Sequence, residues 1–365
     1  MLRLVLIAAL LSLPLHAAAQ TPAPGQPPAE PQQPAAPTDR SEAGADVVPL
    51  RIGPVTLSGS AWIESIAVAE NGHDDVIGTF RVRRARIGLA GNVAPRVGWS
   101  ITGEFTSQPA LRNAFLLFRI ADQMNVRVGQ ATPPTGLERG IPLLQYELID
   151  KSRVNSQLTS NLDPGVTLLN PEPYRGWLSY ALSVFNGAGF NRTDDNDGKD
   201  TAAKIEITPP ALPGLSAVIS GSTGEQPEGR RTHSGFGVEY NVDRFRLAVE
   251  RLRQTNEGGE GKDGFFAMAV YRIRPKTVTP HFRMLELAAR YVIFHDPGTG
   301  DAAPDEDGGG AAPASTVVPA TTREIQSGVN YYVNRNVRVM ANLNVPTDTR
   351  QTPAATFITR LQLVF

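Results

Sequence analysis

Residues 356–365 read Thr-Phe-Ile-Thr-Arg-Leu-Gln-Leu-Val-Phe, and their alternation restricts what the chain can build. In an extended strand, successive side chains point to opposite faces. Phe357, Thr359, Leu361, Leu363 and Phe365 share one face, while Ile358, Arg360, Gln362 and Val364 share the other. An amphipathic strand that ends on an aromatic, in a chain that starts with a secretory leader, predicts the closing strand of a barrel in a bacterial outer membrane.

The leader is read at residues 1–19. Arg3 gives a positive start, Leu4 to Leu15 an apolar run interrupted by Pro14, and Ala17 to Ala19 a small-residue cleavage site. The apolar run is shorter than the ~20 residues of a spanning helix, and no later run approaches that length. A membrane form of the remaining chain must then be a closed barrel, the other structure that satisfies every backbone group in lipid. A hydrophobic share of 41% fits, because only alternate residues of each strand face lipid. The absence of Cys excludes a lipoprotein anchor and a disulfide framework. Residues 20–50, rich in Pro, Ala and Gln, predict a disordered linker. Residues 51–365 are left for the barrel domain.

From Val55 onward the chain divides into short alternating segments separated by Gly, Pro, Asn and Asp. They predict an all-β, antiparallel transmembrane barrel of about sixteen strands, with the first near 55–70, the second near 76–92 and the last near 355–365. The connections sort by parity. Long gaps at 132–164, 188–200, 255–263 and 296–321 follow odd-numbered strands, while short turns such as Asp122-Gln123 and Val242-Asp243 follow even-numbered ones. Barrels of this kind place short turns on the periplasmic side and long loops outside. Trp62, Tyr240, Tyr271, Tyr291 and Tyr331 fall where aromatic girdles form.

Three passages resemble the phosphate-selective porin O/P family. They are Phe80-Arg-Val-Arg-Arg-Ala-Arg-Ile-Gly-Leu-Ala-Gly91, the stretch from Leu116 to Val126-Arg-Val-Gly-Gln-Ala-Thr-Pro-Pro134, and Leu178 to Gly189 with Lys199 to Ala203 after it. The likeness runs from about Val55 to Phe365. It implies a trimeric porin of sixteen strands, a third outer loop folded inward as a constriction, and anion selectivity from inner-wall arginines.

Thirty of the 35 basic residues are Arg, which stays charged at any relevant pH and offers a planar fork to oxyanions. Alternation on the second strand puts Arg84 and Arg86 toward the lumen. Arg81 and Arg83 then lie near the outer headgroup level, unless a bulge turns one inward; the alternative for the cluster is a charged strand end bound to lipopolysaccharide phosphates. The matching family motif has its arginine pair at Arg83 and Arg84, which keeps both as candidates. Parity also directs Arg127, Arg244, Arg246, Arg290, Arg338 and Arg360 inward, with acids such as Glu104, Glu250 and Glu286 to neutralise some of them. The 132–164 loop carries Ile141, Leu143, Leu144, Leu148 and Ile149 to pack on the wall, and Arg139, Lys151 and Arg153 to face the passage.

The expected function is therefore a water-filled, anion-preferring diffusion channel for small solutes in the outer membrane of a Gram-negative bacterium. Its partners are lipid, lipopolysaccharide and small anions, with no nucleic acid. Phosphate or polyphosphate is the solute that the family implies. The chain has only five Lys, however, and the run 296–310 is acidic, which favours a general anion preference. Asp194 to Gly198 lacks the bidentate Glu of a calcium loop, so neither a metal nor a cofactor is expected. Two alternatives are a barrel-type enzyme and a closed structural or adhesin barrel. The first needs a nucleophile constellation that His73, His233, His281 and His295 do not form. The second needs a plugged core.

Overall fold

The computed structural model describes residues 50–69, 76–106, 110–194, 196–226, 229–257, 259, 261–279, 281–298, 320–347 and 355–365. The expected leader, nearly all of the linker and the acidic residues of 301–307 lie outside these.

The described residues form seventeen strands. They are β1 (Leu50–Ile52), β2 (Val55–Ala69), β3 (Val76–Ala94), β4 (Val97–Glu104), β5 (Ala110–Ala121), β6 (Met124–Ala131), β7 (Asp163–Leu169), β8 (Leu178–Phe185), β9 (Asp200–Ile207), β10 (Leu215–Gln226), β11 (Gly229–Val242), β12 (Phe245–Asn256), β13 (Asp263–Ile273), β14 (Met284–Asp296), β15 (Ala320–Tyr332), β16 (Val337–Pro346) and β17 (Ala355–Val364). From β2 to β17 each strand pairs antiparallel with the next, and β17 pairs with β2. The result is a closed sixteen-stranded barrel with no free sheet edge, the condition for strands in lipid. The short β1 folds back on the start of β2.

Register follows the polarity pattern. Leu116, Val128, Val166 and Val184 lie side by side on β5 to β8. All four are 40–50% exposed on the outer face, as a lipid-facing band requires. On β17, Phe357, Leu361 and Leu363 are exposed, while Ile358, Arg360 and Gln362 are buried inside. Phe365 completes the seam. Its backbone exchanges two hydrogen bonds with Gly59 (2.8 and 3.0 Å), and its ring stands directly over that glycine. A Cβ at Gly59 would come within 2.2 Å of the ring, so any larger residue there must displace the Phe365 side chain.

One irregularity re-aims a functional strand. Trp62 lies opposite Arg84 and Ile63 opposite Val82, which leaves Arg83 as the extra residue of a β-bulge. A bulge reverses the facing of every residue beyond it. Arg81 therefore turns inward to Glu64 (2.8 Å), while Phe80 and Val82 turn outward. Of the two placements expected for Arg81, the structure has the one in which a bulge turns it inward. Trp62 also departs from expectation. It is buried inside the barrel at 1% exposure, because it shares its face with Ser60 and Glu64. Tyr240, Tyr291 and Tyr331 do face outward.

Candidate functional site

The segment 132–162 between β6 and β7 enters the barrel and packs on one side of its inner wall. Leu137, Leu148, Val154 and Leu158 join Val218, Leu252, Phe266, Val292 and Phe294 in one apolar cluster. Ile149 joins Met340 and Ile358 in a second. Each such side chain contributes roughly 1.5–3 kcal/mol when fully buried. The inner faces of β12 to β14 set Leu252, Phe266, Val292 and Phe294 against this loop, with charged residues such as Glu250 and Arg290 among them, while the outer faces meet lipid. Within the loop, the short helix α1 (Arg153–Leu158) is capped by Ser152, whose Oγ accepts from the Asn155 N–H at 3.1 Å.

Charge pairs fix the loop in register. The Glu250 carboxylate on β12 accepts hydrogen bonds from the backbone N–H groups of Leu137 and Glu138 and from the Asn155 side chain. Gly136, at φ +69°, aims those N–H groups, and a Cβ there would meet Glu250 at 2.9 Å. Glu138 accepts from Arg290 on β14 (2.5 Å) and from Ser152. Glu147 lies between Arg246 (3.1 Å) and Arg272 (3.5 Å). Arg338 donates to the Tyr146 carbonyl at 3.0 Å. Arg360 binds Glu64 (2.5 Å) and approaches Asp150 (3.8 Å). Buried charges are tolerated when paired and hydrogen-bonded in this way.

With the loop held against that side, a cavity of about 620 Å³ remains along β2 to β9. It runs from the loop to the turn at Asn170–Pro173. The wall supplies Arg84, Arg86, Arg112, Arg127 and Lys204, and the loop supplies Arg139 and Lys151. Among the described residues, Glu172 and Glu206 bring the carboxylates of the same lining. Arg86 is steadied by Glu104 at 2.6 Å, and Arg84 stands 3.8 Å from the same acid. Arg127 donates to the Thr132 carbonyl at 3.0 Å.

The residues singled out from sequence thus fall into separate groups. Arg84, Arg86, Arg127, Arg139 and Lys151 line the cavity, with Arg83 at the bulge beside Arg84. Arg290, Arg338 and Arg360 point inward but are held by contacts beneath the loop, so they clamp it and stand outside the cavity lining. Arg153 is exposed over the Phe294 ring (5.2 Å), away from the cavity, because α1 turns it off the face that carries Val154. Arg244 lies in the exposed turn before β12 and not in the wall, since the strand starts at Phe245. Arg246 is inward, under the loop. Sequence reasoning missed Arg112, Lys204 and the clamp role of Arg272. Arg112 lies on β5 beside the irregular pairing with β4, where simple alternation fails.

The model of the family described as phosphate-selective porin O and P matches residues 63–244. No curated protein matches the chain. Among solved structures, OmpF of Salmonella typhi, in complex with daunomycin, is 13% identical with a TM-score of 0.61; the match covers 85% of this chain and 97% of that one. An anion-selective porin from Comamonas acidovorans is 12% identical with a TM-score of 0.57, covering 85% and 99%. The outer membrane channel DcaP of Acinetobacter baumannii is 13% identical with a TM-score of 0.56, covering 85% and 97%. At these identities the likeness establishes the shared fold.

Proposed function

The chain belongs to the phosphate-selective porin O and P family through residues 63–244, and we propose that this outer-membrane porin is an anion-preferring diffusion channel. The observation that carries the preference is the cavity lining, with seven cationic side chains against two carboxylates. Position gives the arginines their roles. Those on the loop-covered side are paired with loop and wall acids; on the open side Glu104 serves both Arg84 and Arg86 and Glu206 lies beside Lys204, and the lining still carries more cations than carboxylates. Arg83, Arg84, Arg86 and Arg127, with Arg139 and Lys151 from the loop, are the residues assigned to selectivity.

The reading favours general anion preference over dedicated phosphate capture, because five Lys in the whole chain are too few to build a lysine-rich mouth. We further assign a cleaved leader at 1–19, a linker at 20–50, a homotrimeric assembly and contact with lipopolysaccharide. Single channels in a planar bilayer under a potassium chloride gradient test the central claim. The reversal potential is expected on the chloride side of zero. A value on the potassium side removes the anion preference, and an absence of conductance steps removes the channel.

A further inference from the structure

We infer that the passage is shaped for organic anions carrying an apolar body, namely alkyl or aryl carboxylates, in preference to inorganic phosphate. This rests on the anion-preferring reading and names its solute class. The observation is a division within the loop. Tyr146, Leu148 and Ile149 are buried, whereas Pro142, Leu143 and Leu144 stay half-buried and line the cavity. Packing of the loop therefore does not consume these two leucines, and their apolar surface is turned to the solute path.

The strip adjoins the cations. The Leu144 carbonyl accepts a hydrogen bond from Gln362 on β17 at 3.5 Å, which sets the leucines beside the β17–β2 seam. Ser60 at that seam is in register with Val364 on one side and Arg86 on the other. An apolar strip and a guanidinium thus border one space of about 620 Å³, a size typical of sites for small organic molecules.

A hydrated phosphate gains from the guanidinium but loses water against leucine, which has no hydrogen bond to return. A carboxylate with a hydrocarbon tail satisfies both surfaces. Its head takes the planar fork of an arginine, and its tail covers the leucines. Half-burial of each methylene corresponds to about a twofold gain in affinity.

Block of the chloride current by acetate, butyrate, hexanoate, benzoate and phosphate, added at equal concentration to the wild-type channel in a bilayer, tests this. Apparent affinity is expected to rise about twofold per methylene from acetate to hexanoate, with benzoate and hexanoate both exceeding phosphate. In L143N/L144N the dependence on chain length should flatten. An affinity that stays level along the carboxylate series, a stronger block by phosphate, or an undiminished slope in the double variant would each overturn the inference. The reversal potential in the same bilayer separates the two levels. Cation preference removes both readings, whereas anion preference with a level series removes this one alone.

Discussion

Arg84 and Arg360 flank the same indole, with guanidinium carbons 4.8 and 4.0 Å from the Trp62 ring, yet their surroundings give them different tasks. Arg84 lines the passage, while Arg360 lies under the loop against Glu64. A unit charge ~8 Å from a permeating ion is worth roughly 0.5 kcal/mol in water and ~2 kcal/mol in a protein-like medium. Arg84→Ala should therefore reduce chloride-over-potassium preference by at least about twofold, read as a reversal potential closer to zero. Arg360→Ala should act on stability instead. It strands part of the buried Glu64 charge, although Arg81 still reaches that acid at 2.8 Å, so the cost falls near the lower end of ~3–5 kcal/mol. A lowered unfolding temperature with a nearly normal reversal potential is the expected pair of readings. Alternation along β3 makes the inward facing of Arg84 and Arg86 legible. Nothing between Val82 and Arg86 announces the bulge, and one extra residue sends Arg81 to the opposite face. Trp62 was legible through Ser60 and Glu64, but an expectation of aromatic girdles runs against that pattern.

The inward loop hides charge as well as presenting it. Its acids Glu138, Glu147 and Asp150 face Arg290, Arg246, Arg272 and Arg360, so the arginines on the covered half of the lumen are paired. Glu250 on the wall is a further anchor, because it takes two backbone N–H groups and the Asn155 amide in a fully buried position. Hydrogen bonds to a charged group contribute roughly 1.5–3 kcal/mol each. Glu250→Ala is predicted to loosen the segment around Leu137 and give larger, noisier single-channel conductance with weaker anion preference. A conductance and noise spectrum identical to wild type would show that the apolar cluster alone holds the loop. The length of the gap and its apolar pairs reveal an inward fold from sequence. Which wall receives the loop is less evident, because the sign lies in the strands and not in the loop. Phe266, Val292 and Phe294 sit on faces that a water-filled lumen would make polar. Apolar residues on both faces of β13 and β14 mark a wall with protein inside it.

At the scale of the whole barrel, the charges are sorted by side and not by total. The chain has 35 basic and 36 acidic residues, so its net charge says nothing of selectivity. Closure turns this composition into a field. β17 meets β2 with the Phe365 ring on Gly59, which places the paired cluster of Arg360, Glu64 and Trp62 at the seam and the arginines of β3 to β6 beyond it. The sixteen strands and the parity of their connections are legible because barrel geometry repeats along the chain. The charge asymmetry is not, because it depends on which arginines the loop covers. A preference produced by several fixed cations around an open passage must respond to screening. The Debye length falls from about 10 Å at 0.1 M salt to 3 Å at 1 M, so at the lower value the fields of cavity cations overlap across the passage and at the higher value they do not. The chloride-to-potassium permeability ratio should therefore drop several-fold between 0.1 and 1 M potassium chloride at a fixed concentration ratio across the bilayer. A ratio that holds constant would locate selectivity in one tight, water-excluding contact, because buried or partly buried charges are screened much less than exposed ones. Combining the series with Arg84→Ala distinguishes the cases. If the lining acts as a distributed field, the variant should keep the same salt dependence at a lower starting ratio.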